Sequence, residues 1–418
     1  MDQRACSPAS NSLRGCCTCT QGQGICNGEV VTISTPQAHE IFIRCAPITA
    51  SGTSAEQAKK FYDCLPRLLS ENGAQVSDVL WERVFFRNAA EDFDTFSKAR
   101  EAAYAQYGIT GDDLPVATYI EQPPCRHDQA FELQVYVVVA KEVNSVRVQS
   151  FPMAEGTTAK VIEIGDFRHL YITNINGLGS DGKPQESFRE QCDAMWEKAG
   201  RLMERHGTEF PKVLRTWCYL DDIDRDYNEF NVSRNEFFER HNVRRLPAST
   251  GIRAGLYPPG TLCGTDLYAL LNPEGVDVEV MHTPTLNEAA DYGSAFSRGM
   301  KVGFPEKTVL FVSGTASVDE SGATVHLSHV RRQVERMLLN IQELLKPHGA
   351  TFADVAQIIT YLKWRDETEL FLQIWDEWGL SGLPNTFVEA GVCRPNLLCE
   401  MEAVAIVPTQ SSSPACRV

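Results

Sequence analysis

An arginine and two glutamates near the C-terminus are spaced for acid chemistry on a carboxylate. Arg394 follows Cys393, and after five intervening residues come Glu400, Met401 and Glu402. A guanidinium presents a planar fork that holds a carboxylate by two hydrogen bonds. The run from Leu398 to Val407 is apolar and strand-like, and side chains alternate along a strand, so Glu400 and Glu402 share a face with Met401 opposite. Two carboxylates on one face raise one another's pKa and keep one of them protonated. A protonated glutamic acid beside an arginine-bound carboxylate can hand its proton to a substrate carbon. The plainer readings are a surface arginine paired with an acid and a solvated face bearing two acids. Cys393 is a nucleophile only with a base at hand, and the sequence pairs no histidine with it. It is expected to pack, or to meet substrate through its backbone.

The same set recurs earlier. Cys125-Arg126 is followed by five residues and then Glu132, so Arg126 and Glu132 form a candidate second site. The corresponding place between these two reads Leu262-Cys263-Gly264-Thr265-Asp266, without the Cys-Arg step. That third place is expected to be degenerate, with Arg253 near it but out of line.

The elements that must carry these residues repeat as well, and repetition decides architecture. Asn72-Gly73-Ala74-Gln75, His206-Gly207-Thr208-Glu209 and His348-Gly349-Ala350-Thr351 each close an amphipathic stretch with a glycine suited to a left-handed helix end. Before the last of them, Val330, Val334, Leu338, Ile341 and Leu345 recur at helical spacing. After each comes a strand-like run (Arg83 to Phe86, Arg215 to Leu220, Ile358 to Leu362), a second helix, a Leu-Pro step (Leu114-Pro115, Leu246-Pro247, Leu383-Pro384) and a closing strand. Each unit therefore reads strand, helix, strand, helix, strand, strand. The units fall at 30–142, 158–275 and 293–410, joined by Gly-, Pro- and polar-rich links.

Composition agrees with a folded chain of several domains. The 418 residues are 43% hydrophobic and 22% charged, which is globular rather than disordered. A net charge of −16 repels nucleic-acid backbones and anionic membranes, so neither is expected as a partner. No apolar run approaches the roughly 18 residues of a membrane span. Residues 1–29 lack the apolar stretch of a secretory signal, which suggests a cytoplasmic protein. Cys6, Cys16, Cys17, Cys19 and Cys26 lack the paired spacing of a zinc site, so residues 1–29 read as a mobile Cys-rich tail and no metal is expected.

The third unit resembles the RidA/YjgF superfamily over nearly its whole length. The likeness rests on Phe311-Val312-Ser313-Gly314-Thr315, the stretch from Ser328 to His348, Cys393-Arg394-Pro395, and Glu400-Met401-Glu402-Ala403. The second and third units together resemble the FkbO-type chorismatases. There the matching phrases are Arg215-Thr216-Trp217, Tyr219-Leu220, Leu246-Pro247-Ala248, Thr250-Gly251-Ile252 and Leu397-Leu398 before Glu400. The tract from Asn287 to Gly293 departs from that branch, which carries a Pro-Arg step before Tyr-Gly.

Members of the superfamily are homotrimers with clefts between subunits. The resemblance therefore implies an α/β (α+β) chain of three tandem RidA-like, chorismate-mutase-like units forming an intrachain pseudo-trimer, expected to be monomeric. It also implies that Arg394 grips a substrate carboxylate, that Glu400 is the acid, and that Phe296, beside Ser297 and Arg298, walls the cleft or packs in the core. Cys393 and Glu402 complete the expected binding set. The implied chemistry is hydrolysis of a small carboxylate-bearing enamine, imine or enol ether to a keto acid, with no cofactor. Chorismatase-like release of pyruvate, and binding of a metabolite or protein without catalysis, are the alternatives. Ribonuclease activity, which older family names suggest, fits poorly with the acidic balance and the lack of a histidine pair.

Overall fold

A computed structural model describes residues 12–18, 26–47, 52–151, 157–179 and 181–409. Each third of the chain folds into a six-stranded sheet with two helices. Unit one holds β1 (Ser12–Thr18), β2 (Cys26–Ser34), β3 (Ala38–Pro47), α1 (Ser54–Glu71), β4 (Val79–Phe86), α2 (Ala89–Ala105), β5 (Val116–Glu121) and β6 (Phe131–Ala140). Unit two holds β7 (Val146–Phe151), β8 (Thr158–Ile164), β9 (Phe167–Asn176), α3 (Phe188–Arg205), β10 (Val213–Leu220), α4 (Ile223–Arg240), β11 (Ala248–Arg253) and β12 (Cys263–Leu270). Unit three holds β13 (Asp277–Val280), β14 (Gly299–Gly303), β15 (Lys307–Ala316), α5 (Val330–Leu345), β16 (Val355–Leu362), α6 (Thr368–Glu377), β17 (Asn385–Glu389) and β18 (Cys399–Pro408). The strand orders β1-β2-β3-β6-β4-β5, β7-β8-β9-β12-β10-β11 and β13-β14-β15-β18-β16-β17 are one topology three times over.

Local chemistry accounts for the elements. Capping boxes at Thr53/Glu56 and Ser187/Glu190 start α1 and α3 by satisfying their first amide donors. Gly73, Gly207 and Gly349 hold φ near +70° where the helical stretches end, the conformation expected of them from sequence. On α5, Val334, Leu338, Ile341 and Leu345 are buried, as their spacing predicts. The strands paired in parallel, β4 with β5, β10 with β11 and β16 with β17, are each joined through a helix, as parallel pairing requires.

Each unit has two more strands than the sequence reading anticipated. β1 lies within the supposed tail 1–29, and β7 and β13 lie in the supposed links. These are edge strands: the side chains of β7 and β13 are mostly exposed or half-buried, so no apolar run marks them. Each pairs antiparallel with the next strand. Cys6 and Cys19, and the side chains of Cys16, Cys17 and Cys26, lie outside the described residues.

Helices cover one face of each sheet, and the other faces close on a shared core that draws Phe42, Trp81, Trp217, Tyr268, Val309 and Phe311 from all three units. The units are knitted in a ring. Glu121 N donates to Gly255 O (2.8 Å), Arg253 N to Gly391 O (3.0 Å) and Glu389 N to Pro123 O (2.8 Å), which links one to two, two to three, and three to one. The result is an intrachain pseudo-trimer. No helix among the described residues is long and apolar enough to cross a membrane.

Candidate active site

The cleft between units two and three gathers most of the expected residues. β18 carries Glu400 into it, the loop before β18 brings Cys393 and Arg394, and the segment before β14 brings Phe296 and Arg298. Unit two adds Tyr227 from α4 and Ser249 and Gly251 from β11. β11 lies against β15: Ser249 N donates to Ser313 Oγ (2.9 Å), Gly314 N donates to Thr250 Oγ1 (3.0 Å), and Ser297 N donates to Pro247 O (3.0 Å). The cleft is narrow: the centre of a water-sized sphere can range over about 30 Å³ of the space these residues enclose.

Glu400 is 4% exposed, and among the described residues its carboxyl makes no hydrogen bond. Burial pushes its pKa up to about 8, the negative charge of Glu402 adds to the rise, and Arg298, Arg215 and Arg394 oppose it. Glu400 is therefore mostly protonated at neutral pH. Gly314 makes this placement possible, because a Cβ there would lie 2.0 Å from Glu400 Oε1. β15 bulges between Val312 and Thr315, which lets the backbone pass beside the carboxyl.

Two guanidiniums stand in the same cleft. Arg394 Nη1 donates to Gly322 O (2.7 Å) and Thr324 Oγ1 (3.4 Å), which fixes it against the turn after β15. Arg298 donates from Nε to Asn287 O (2.7 Å) and from Nη2 to Asn287 Oδ1 (3.1 Å). The tract that departs from the chorismatase pattern thus clamps an arginine of the cleft. Phe296 is 8% exposed and lines the cleft, with Arg234 and Arg298 each 5.6 Å from its ring centre. Burial pushes the Cys393 thiol up to about 12, and Glu400 adds to the rise, so it carries no thiolate at neutral pH.

Two expectations are corrected. Glu402 shares the face of Glu400 and raises its pKa, but it does not line the cleft. It sits at the centre of the pseudo-trimer, where Trp217 Nε1 (2.8 Å), Arg215 Nη2 (2.9 Å), Tyr361 Oη (3.2 Å) and Arg83 Nη1 (3.4 Å) donate to its two oxygens. Two residues along the strand, on the same face, its side chain lies at the axis instead of the cleft, where two other units supply donors.

Nor does the structure join Arg126 to Glu132. Arg126 is half exposed beside Asp128, with Nε 3.7 Å from Oδ1. Glu132 is buried and takes Arg44 Nε at 2.5 Å, and Arg44 Nη1 reaches Glu29 at 3.2 Å. In register, Arg44 stands where unit three bulges through Ser313 and Gly314. An arginine fills the space that a glycine leaves open. In unit two the counterpart of Glu400 is Gly264, as the pairing of Cys263 with Leu220 and of Cys399 with Leu362 aligns them. Arg253 donates from Nε to Asp221 O (3.2 Å) at the end of the axis, away from any cleft acid.

Tyr227, Ser249 and Gly251 are not readable from sequence as site residues, because nothing in one unit states which face of its neighbour it meets. Arg298 was legible only as the neighbour of Phe296.

Residues 288–407 match the family described as Endoribonuclease L-PSP. Over 111 residues the chain is 28% identical to a RutC family protein of Pyrococcus abyssi, a span that is 26% of this chain and 84% of that protein. A crystal structure of chorismatase superposes with a TM-score of 0.57 at 20% identity, covering 79% of this chain and 93% of the other. That likeness speaks to the fold alone, and its reach exceeds what units two and three occupy, so it takes in part of unit one. The chain is thus three tandem units of one α+β topology, the third bearing the L-PSP family match and about four-fifths of the chain sharing the fold of chorismatase.

Proposed function

We propose that the cleft between units two and three hydrolyses a small carboxylate bearing an adjacent enamine, imine or enol ether. The observation that carries this reading is Glu400, a buried and protonated carboxyl in the same cleft as Arg394 and Arg298. Arg394 holds the substrate carboxylate by its guanidinium fork. Glu400 gives its proton to the terminal carbon of the C=C bond, leaving an iminium or oxocarbenium ion. Water adds to that cation and loses a proton, which restores Glu400 to its acid form. The adduct then collapses to a keto acid with release of ammonia or of an alcohol. Phe296 walls the cationic intermediate from solvent, and Cys393 lines the cleft as a neutral thiol.

An enol ether carrying a second carboxylate, as chorismate does, is favoured by one specific feature. Arg298 supplies a second guanidinium in the cleft, held in place by Asn287. The test is coupled detection of pyruvate from the purified full chain given chorismate or freshly generated 2-aminoacrylate, with Arg394→Ala alongside. Release that Arg394→Ala abolishes supports the reading, and the responding substrate decides between oxygen and nitrogen. No release from either substrate, or equal release by the variant, sinks it.

A further inference from the structure

We infer that the chain carries a second ligand site on its pseudo-threefold axis, where a cavity lined by aromatic rings of all three units takes an uncharged, planar aromatic molecule of one or two rings. Strand register builds it. Trp81 on β4, Arg215 on β10 and Gln357 on β16 occupy equivalent positions, and the next inward-facing layer is Arg83, Trp217 and Ile359. The three units have therefore diverged around the axis, so a ligand there meets an asymmetric wall and binds once per chain.

The wall is aromatic and contiguous. Ring centres lie 5.4 Å apart for Trp81 and Trp217, 5.6 Å for Trp81 and Tyr171, 4.9 Å for Tyr171 and Tyr268, and 5.3 Å for Tyr268 and Phe311. The rings enclose rather than fill the space, and the centre of a water-sized sphere can range over about 40 Å³ of it. Tyr171, Gln357 and Val404 are partly exposed although they lie on the inner faces of sheets, so solvent reaches the cavity. Arg83, 4.6 Å from the ring centres of both Trp81 and Trp217, fixes the floor.

The charged groups of this wall are matched to one another. Lys307 pairs with Glu40, and the Tyr136 hydroxyl donates to the other oxygen of Glu40 (2.7 Å). The His169 ring bonds the Tyr268 hydroxyl (2.9 Å), and burial with the nearby Lys307 charge pushes its pKa down to about 3, so it is neutral. A carboxylate entering here meets Glu40 and an ammonium meets Lys307, and neither finds a vacant counter-charge. A neutral ring meets π-faces and edges, with the Tyr171 hydroxyl and the Gln357 amide lining the same space as hydrogen-bonding groups. The site shares no lining residue with the cleft of Arg394 and Glu400, so the inference does not rest on the reaction proposed there.

Isothermal titration of the full chain with indole, benzoate and benzylamine tests this, with 5-fluoroindole followed in parallel by fluorine NMR. Indole is expected to saturate at one per chain with roughly millimolar or tighter affinity, and the two ions to bind at least about tenfold more weakly. Val404→Phe and Val309→Phe narrow the cavity and are expected to abolish indole binding, whereas Arg394→Ala keeps it. Val404→Ala widens the cavity and stays informative if the larger residues fail to fold; it should change indole affinity by at least about threefold. Absence of saturable indole binding to folded wild-type chain overturns the inference. So does benzoate binding as tightly as indole, or indole affinity unmoved by every Val404 and Val309 variant that folds.

Discussion

Glu400→Gln separates the proposed acid from its shape. Glutamine keeps the size of the side chain but can neither ionise nor deliver a proton as an acid. Positioned general acids contribute about 100- to 10,000-fold, so keto-acid release should fall by that factor. The same substitution changes stability in a pH-dependent way whose sign follows from the raised pKa. The unfolded carboxyl ionises near its ordinary 4.5, and the folded one holds its proton up to about 8. Between those values the native state binds one more proton, so wild-type stability falls with rising pH by about 1.4 kcal/mol per unit. The stabilising effect of the raised pKa is fully present below 4.5 and is lost as pH passes through about 8. From pH 6 to pH 9 the loss specific to Glu400 is about 2–3 kcal/mol, and the glutamine variant lacks it. Urea unfolding of both proteins at the two pH values reads the difference, since other titrating groups cancel. The wild-type rate should also decline above pH 8 as the acid ionises. A stability difference that stays flat from pH 6 to 9, or a variant that turns over at the wild-type rate, refutes the assignment.

Other perturbations separate cleft from scaffold. Arg394→Ala removes charged hydrogen bonds worth about 1.5–3 kcal/mol each, so kcat/KM should drop at least about 100-fold, mainly through KM, in steady-state kinetics. Gly314→Ala sets a Cβ 2.0 Å from Glu400 Oε1 and 3.0 Å from Thr250 Cγ2. It should cost roughly 1–3 kcal/mol and most of the turnover while circular dichroism stays native. Arg44→Met leaves Glu132 buried without its cation and should cost about 3 kcal/mol in denaturant unfolding, with turnover unchanged because the active cleft lies elsewhere. Sedimentation equilibrium should give the mass of one chain, and a mass near three chains would contradict a self-sufficient pseudo-trimer.

The architecture was readable because duplication leaves repeated helix ends and repeated strands, each with a physical reason to persist. The glycine after each helical stretch and the buried face of α5 were legible for that reason. The edge strands were not, since β7 and β13 face solvent and carry no apolar alternation. Within the site, Arg394, Glu400 and Phe296 line one cleft, and all three belong to one unit. Glu402 was misread although its strand and face were right. Which of two same-face residues meets the cleft and which meets the axis depends on where neighbouring units approach, and Arg83, Arg215 and Trp217 come from other thirds of the chain. Arg126 and Glu132 failed for the same reason in reverse: the residue that closes their cleft is Arg44, far away in sequence and conspicuous only once β3 is seen beside β6.

Fusion into one chain is what allows the three clefts to differ. In a homotrimer every cleft carries the same residues, so a change that closes one closes all. Here Glu400 has the counterparts Glu132 and Gly264, and the bulge at Gly314 has the counterpart Arg44. One cleft keeps acid and opening, one keeps the acid but neutralises it with a buried arginine, and one has lost the acid. The axis has diverged in the same way, with Glu402, Gln134 and Asp266 at one register and tryptophan, arginine or glutamine one layer further on. Buried charges at the centre, Arg83 and Arg215 against Glu402, contribute less to stability than apolar packing of the same volume would. They do make the three inner faces unlike one another. An asymmetric centre lets each unit pair with only one neighbour in one orientation, and that fixes which cleft receives Tyr227 and Ser249 from unit two and so becomes the proposed active site.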